Sequence, residues 1–174
     1  MTKKVIDLRH EWINHYKSQG FKEAKSAPLV HPAFPMSFNM SAGLVQLAPI
    51  VIKNKPVGPQ KQCLVQKCMR YFDLKNVTDN IHLSFFEMPG SFEIREFDEI
   101  EVFNRLWGFL TQKVGLDSER IWLTSFDRDK LGTIEISQNK NINEHLKNIT
   151  PSRLRLGPMK TNFWVHKGNE FTKG

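Results

Sequence analysis

Long apolar runs are missing from this sequence, and the N-terminal MTKKVIDLRHEW holds no apolar stretch of signal-peptide type. The chain is therefore expected to be cytoplasmic, with no segment crossing a bilayer. Cysteine is scarce. Cys63 and Cys68 are the only two, and their spacing is neither a disulfide framework nor a CxxC pair. On one strand, five residues apart, they would point to opposite faces, as two reduced thiols. No zinc site is expected. Internal repeats and low-complexity segments are also absent.

Apolar residues make up 40% of the 174 residues and charged residues 25%, too apolar a balance for disorder and enough for one domain with a sizeable core. Phenylalanine is abundant, with thirteen copies, and there are four tryptophans. The formal net charge is +7, which favours contact with phosphate in RNA or nucleotide, but is equally compatible with a lysine-rich solvated surface.

Val5, Ile6, Leu8, Trp12, Ile13 and Tyr16 recur at helical spacing, and Gly20 supplies a C-terminal stop, which predicts a first helix. Phe21 to Lys25 reads as extended. Residues 42–47 read as a helical turn or a strand approach. Lys53 to Gln62, with two prolines and a glycine, reads as loop. Cys63 to Arg70 is a strand candidate, and His82 to Met88 (HLSFFEM) a second, closed by Pro89-Gly90; the simplest pairing is an antiparallel hairpin. Ile100, Phe103, Leu106, Trp107, Leu110 and Val114 predict a second helix over Asp98–Val114 that stops at Gly115. Arg120–Phe126 and Thr133–Ser137 read as strands, Asn143–Ile149 as a short helix, and the chain from Thr150 onward as irregular. The class is α+β, an antiparallel sheet flanked by helices.

Alternation along HLSFFEM puts His82, Ser84, Phe86 and Met88 on one face and Leu83, Phe85 and Glu87 on the other. One phenylalanine can fill the core while the other faces a site. On residue type alone Phe86 reads as packing, as most strand aromatics are used, Arg70 as a solvated charge, and Trp164 as a core anchor like Trp12 and Trp107.

In order along the chain come Leu8-Arg9, Ser18 to Phe21, Ser26 to Val30, Ala42-Gly43 with Gln46, and Gln66-Lys67-Cys68-Met69-Arg70. Asp73 to Val77, Phe85 to Phe92 and Asn162-Phe163-Trp164 follow. Together they resemble the N-terminal part of the catalytic domain of alanyl-tRNA synthetases, a class II aminoacyl-tRNA synthetase family. The likeness spans almost the whole chain, and the run FFEM-x-G-x-F beside QKC-x-R and DL-x-NV is its specific part. The resemblance implies one domain over 1–174 that activates alanine with ATP, forming an aminoacyl adenylate for tRNA aminoacylation. It implies that Arg70 is catalytic, and that Arg70, Phe86, Asp73 and His82 bind ATP, which leaves Phe85 to face the core. Trp164 and Asn162 would bind the amino acid. The implied cofactor is ATP with Mg2+, and the partners are alanine or another small amino acid and tRNA.

The chain also departs from that pattern. Tyr71-Phe72 stands where the family has a glycine-rich loop with a phosphate-side lysine, and Ile81-His82-Leu83 where it has an arginine and two histidines. Val165 to Gly168 replaces the run that follows NFW, and the third motif with its ATP-binding arginine does not occur. The fold is thus expected to be incomplete at its C-terminal side. A partner chain or missing C-terminal half would complete it. The alternative to an active ligase is an impaired paralogue or fragment that binds nucleotide, tRNA or protein.

Overall fold

The computed structural model describes residues 7–30, 40–46, 58–126, 128–131, 134–137, 140–150, 152–158 and 162. They form two compact units, Met1–Phe97 and Asp98–Gly174.

In the first unit, helix α1 (Leu8–Lys17) starts at Asp7, whose carboxylate accepts from the backbone N–H of Arg9 and His10. Such a cap satisfies two donors that the first helical turn leaves over. The chain leaves α1 through Gly20, at φ +85°, a left-handed conformation that glycine adopts without a Cβ penalty. Strand β1 (Lys22–Glu23) follows and pairs in parallel with β2 (Gln60–Met69), which pairs antiparallel with β3 (Phe85–Ile94). The sheet order is β1-β2-β3.

This sheet is mixed, which corrects the expected antiparallel one. The parallel partner β1 is two residues long and precedes β2 by more than thirty residues, so no local pattern announces the pairing. Strand β3 also runs through Pro89-Gly90 instead of stopping there, with Pro89 opposite Val65 and Gly90 opposite Leu64. Among the described strands β3 is an edge, where a residue without an N–H is tolerated. Similarly, β2 begins at Gln60, inside the expected loop.

The two faces of the sheet are covered differently. Arg9 of α1 pairs with Glu87 of β3, and the Trp12 indole N–H donates to the Gly90 carbonyl at 3.2 Å. Trp12, Tyr16 and Phe21 pack in series, with ring centroids 4.6 and 5.0 Å apart. The opposite face carries the buried Leu64, Gln66 and Cys68. It receives residues 40–46, whose last four form a helical turn. The Gly43 N–H reaches Met88 Sδ at 3.4 Å. A Cβ at Gly43 would come 3.1 Å from Leu64 Cδ1, so glycine permits the close approach.

In the second unit, α2 (Glu99–Gly108) is capped by the Asp98 carboxylate and passes into a π-helical turn over Phe109–Lys113. Gly115, at φ +76°, ends it. A short 3-10 turn, Ser118–Arg120, leads to β4 (Leu123–Phe126), and β5 (Arg128–Leu131) pairs antiparallel with β6 (Ile134–Ser137). Helix α3 (Lys140–Ile149) precedes β7 (Leu154–Gly157), which lies parallel to β4. The segment after Thr150 is thus not irregular throughout. Four residues are too few for periodicity to reveal the strand. Among the described residues no helix is long and apolar enough to cross a membrane.

Candidate active site

Strand β2 ends at Met69, and Arg70 follows it at φ −123°, ψ 92°, still extended. Alternation places it on the face that carries Leu64, Gln66 and Cys68. Its backbone N–H donates to the Ser84 carbonyl at 2.7 Å, just ahead of β3. Its side-chain Nε donates to the Ser41 carbonyl at 3.1 Å. The neighbouring Met69 N–H donates to the buried Met40 at 2.9 Å. Arg70 is thus fixed at both its backbone and its Nε, and no other side chain among the described residues takes its Nη groups. A guanidinium held in this way is pre-organised for a planar, two-point contact to a phosphate.

Phe86 sits opposite Cys68 in the β2–β3 ladder and is half-buried. The Arg70 guanidinium carbon lies 5.1 Å from its ring centroid, within cation–π range. Of the six residues predicted for a site, these two are brought together. Phe85 does point the other way, as alternation requires, but it is 55% exposed. The expectation that it fills the core is corrected: it opens β3, beyond the reach of the α1 side chains that cover this face further along.

Asp73 lies half-buried in the 3-10 helix Tyr71–Asp79, its N–H bonded to the Arg70 carbonyl at 3.2 Å. His82 is exposed, and its Nδ1 sits 2.5 Å from the Asp79 carboxylate. That carboxylate also accepts from the N–H groups of Ile81 and His82, both at 2.8 Å. Asn162, in the second unit, donates its N–H to the Pro158 carbonyl at 3.1 Å. Trp164 lies outside the described residues.

The Asp79–His82 pair titrates in a way that can be measured. The His82 backbone N–H, then its side chain, hold the Asp79 carboxyl down at about 2. The Asp79 hydrogen bond raises His82 above its ordinary 6.5. A raised histidine stabilises the folded turn fully below its unfolded value and loses that contribution as pH rises through the folded one. The lowered carboxyl contributes above its ordinary 3.8 and loses its share as pH falls through about 2. The turn is therefore expected to be firmest between those ordinary values. Proton NMR titration should find His82 above 6.5, and Asp79→Asn should return it there. An unmoved midpoint in the variant would show that the pair does not form.

Two further groups shape the site without having been legible as site residues. The Gln66 side chain is fully buried. It accepts from the Ala27 N–H at 2.9 Å and donates to the Ala27 and Lys67 carbonyls at 2.9 and 2.7 Å. Its position in QKC-x-R, two residues before a buried Cys68, was the available signal. Ser41 contributes only a carbonyl, which no residue-type pattern can flag. Cys63 and Cys68 are free and buried, and burial pushes both thiols up. Among the described residues no group of three His, Cys, Asp or Glu side chains could hold a metal ion.

The family model of tRNA synthetases class II (A) matches residues 7–173. The chain belongs to this family. An alanine–tRNA ligase of Rubrobacter xylanophilus is 32% identical over 128 residues, covering 73% of this chain and 14% of the relative. One from Dehalococcoides mccartyi is 30% identical over 165 residues, 94% of this chain and 18% of the relative. A chloroplastic/mitochondrial alanine–tRNA ligase of Oryza sativa subsp. indica is 32% identical over 123 residues, 70% of this chain and 12% of the relative. The chain thus spans less than a fifth of the length of each of these alanine–tRNA ligases. As a class II tRNA synthetase domain it combines helices with a mixed sheet, and the match includes the whole β2–β3 ladder.

Proposed function

We propose that the chain supplies part of an adenylate-forming site of the alanine–tRNA ligase kind. In this reading Arg70 contacts the α-phosphate of ATP and Phe86 stacks on the adenine. The alanine carboxylate oxygen attacks the α-phosphorus, the bond to the bridging oxygen breaks, and pyrophosphate leaves. Negative charge builds on the reacting phosphoryl oxygens, and a fixed guanidinium beside them lowers the barrier. The observation that carries the reading is the Arg70–Phe86 pair, 5.1 Å apart, on one face of the paired strands. Asp73 and His82 would flank the triphosphate, and Asn162 and Trp164 the amino acid. The single-domain organisation over 1–174, cytoplasmic location, the use of tRNA, and completion by a partner chain or further segment belong to the same proposal.

Mg2+ accompanies ATP in this proposal. The described residues do not assemble a cage for it, since Glu87 is paired with Arg9 and no carboxylate cluster is present among them. Such an ion would be held chiefly by phosphates and water, and no step here is assigned to it.

A second reading, nucleotide binding without activation, is supported by the 3-10 helix Tyr71–Asp79. It opens with Tyr71-Phe72, which stands in place of the family's lysine-bearing loop, and Tyr71 is exposed. Calorimetric titration with ATP tests what both readings share. Phe86→Ala is expected to weaken binding about tenfold, the scale of one lost base–aromatic stack, while Phe85→Ala leaves it unchanged. Equal binding by wild type and Phe86→Ala would refute the site. ATP–pyrophosphate exchange with alanine then separates the readings, because only activation produces it.

A further inference from the structure

We infer that Trp122, Arg155 and Arg120 in the second unit form a platform for single-stranded nucleic acid. An unpaired base stacks on the Trp122 indole, and the two arginines meet the flanking phosphates. This inference does not rest on the adenylate reading. Trp122 is 57% exposed, whereas Trp12 is 7% exposed. An indole left in water forgoes one of the largest apolar burials a side chain offers. The Arg155 guanidinium carbon lies 4.6 Å from the Trp122 ring centroid.

The platform stands on paired backbone. Trp122 immediately precedes β4, Arg155 lies in β7 opposite Thr124, and the Leu123 N–H donates to the Arg153 carbonyl at 3.0 Å. Arg120 closes the 3-10 turn two residues before Trp122 and is exposed.

The local charges leave both cations available. The Glu119 carboxylate is taken by Arg153 at 2.7 Å, and Asp117 caps the turn by accepting from the Glu119 N–H at 2.9 Å. Among the described residues Arg155 donates only to the carbonyls of Ser152 and Leu154, at 3.5 and 3.4 Å, the long end of hydrogen bonding. No ion pair engages Arg120 or Arg155 among the described residues. The exposed indole surface left beside the Arg155 guanidinium, which itself lies over the ring, complements a splayed base with its phosphates. A duplex hides its bases and could use the arginines alone. An acidic peptide has the charge but no flat ring for the indole. The chain's net charge of +7 adds attraction for any polyanion.

Fluorescence anisotropy with the full chain and a dye-labelled oligouridylate tests the assignment. Trp122→Ala should weaken binding about tenfold, and Trp122→Phe should keep most of it. Arg155→Ala should weaken binding and reduce the salt slope by about one released ion. Phe86→Ala should bind oligonucleotide as wild type does, so failure here and failure of the adenylate reading are read separately. Should Trp122→Ala not fold by circular dichroism, Trp122→Leu, apolar but ringless, decides in the same way. The assignment is overturned if the ringless variant binds as tightly as wild type. It is also overturned if a duplex of equal length competes as well as the single strand. Equal competition by polyglutamate would point instead to an acidic protein partner and overturn it too.

Discussion

Gln66→Leu is expected to destabilise the β1–β2–β3 unit by roughly 2–4 kcal/mol, because the Ala27 N–H and the Ala27 and Lys67 carbonyls each lose a partner and an orphaned buried group costs about 1–3 kcal/mol. Leucine nearly preserves the volume, so little of the effect can come from a cavity. Urea unfolding should show the loss as a lower midpoint at unchanged slope. Gln66→Glu separates hydrogen bonding from shape. A carboxylate can still accept from the Ala27 N–H, but it faces two carbonyls, at 2.9 and 2.7 Å in the native pairings, with nothing to donate. Buried in that way it should take up a proton more readily than in the unfolded chain. Its folded value then lies above the unfolded one, and the variant should regain stability as pH falls. If Gln66→Leu unfolds like wild type, the clamp on Ala27 contributes nothing.

That clamp also shows where reading the sequence stops. Helices α1 and α2 were legible because their apolar stripes and the stops Gly20 and Gly115 agree with one another. The β2–β3 ladder was legible because two β-prone runs follow one another along the chain, although the 3-10 helix Tyr71–Asp79 between them was not. Alternation correctly sent Phe85 and Phe86 to opposite faces but could not say which face is covered. That depends on how far α1 extends along the sheet, a tertiary fact. Pro89-Gly90 read as a stop because an edge strand cannot be told from a central one without its neighbours. The parallel pairings β1–β2 and β4–β7 join segments far apart in sequence, and nothing local encodes them. Of the candidate site, Arg70 and Phe86 were legible through a motif. The carbonyl of Ser41 that holds Arg70 Nε was not, because every residue has a carbonyl.

Arg70→Ala is expected to lower ATP affinity about a hundredfold, since a two-point charged contact to phosphate supplies two hydrogen bonds of roughly 1.5–3 kcal/mol each and part of that is recovered by water. Adenosine is the informative comparison. Without phosphates it gains nothing from the guanidinium, and in the free protein that guanidinium lies over the Phe86 ring at 5.1 Å. A base stacking there must displace it. Removing Arg70 uncovers the ring, so adenosine should bind Arg70→Ala as tightly as wild type or more tightly, while ATP binding collapses. Arg70→Lys should restore little of the ATP affinity, because an ammonium is a point charge without the planar fork. A uniform loss for ATP and adenosine would mean that Arg70 only supports the fold around Phe86. No loss for either would remove Arg70 from the site.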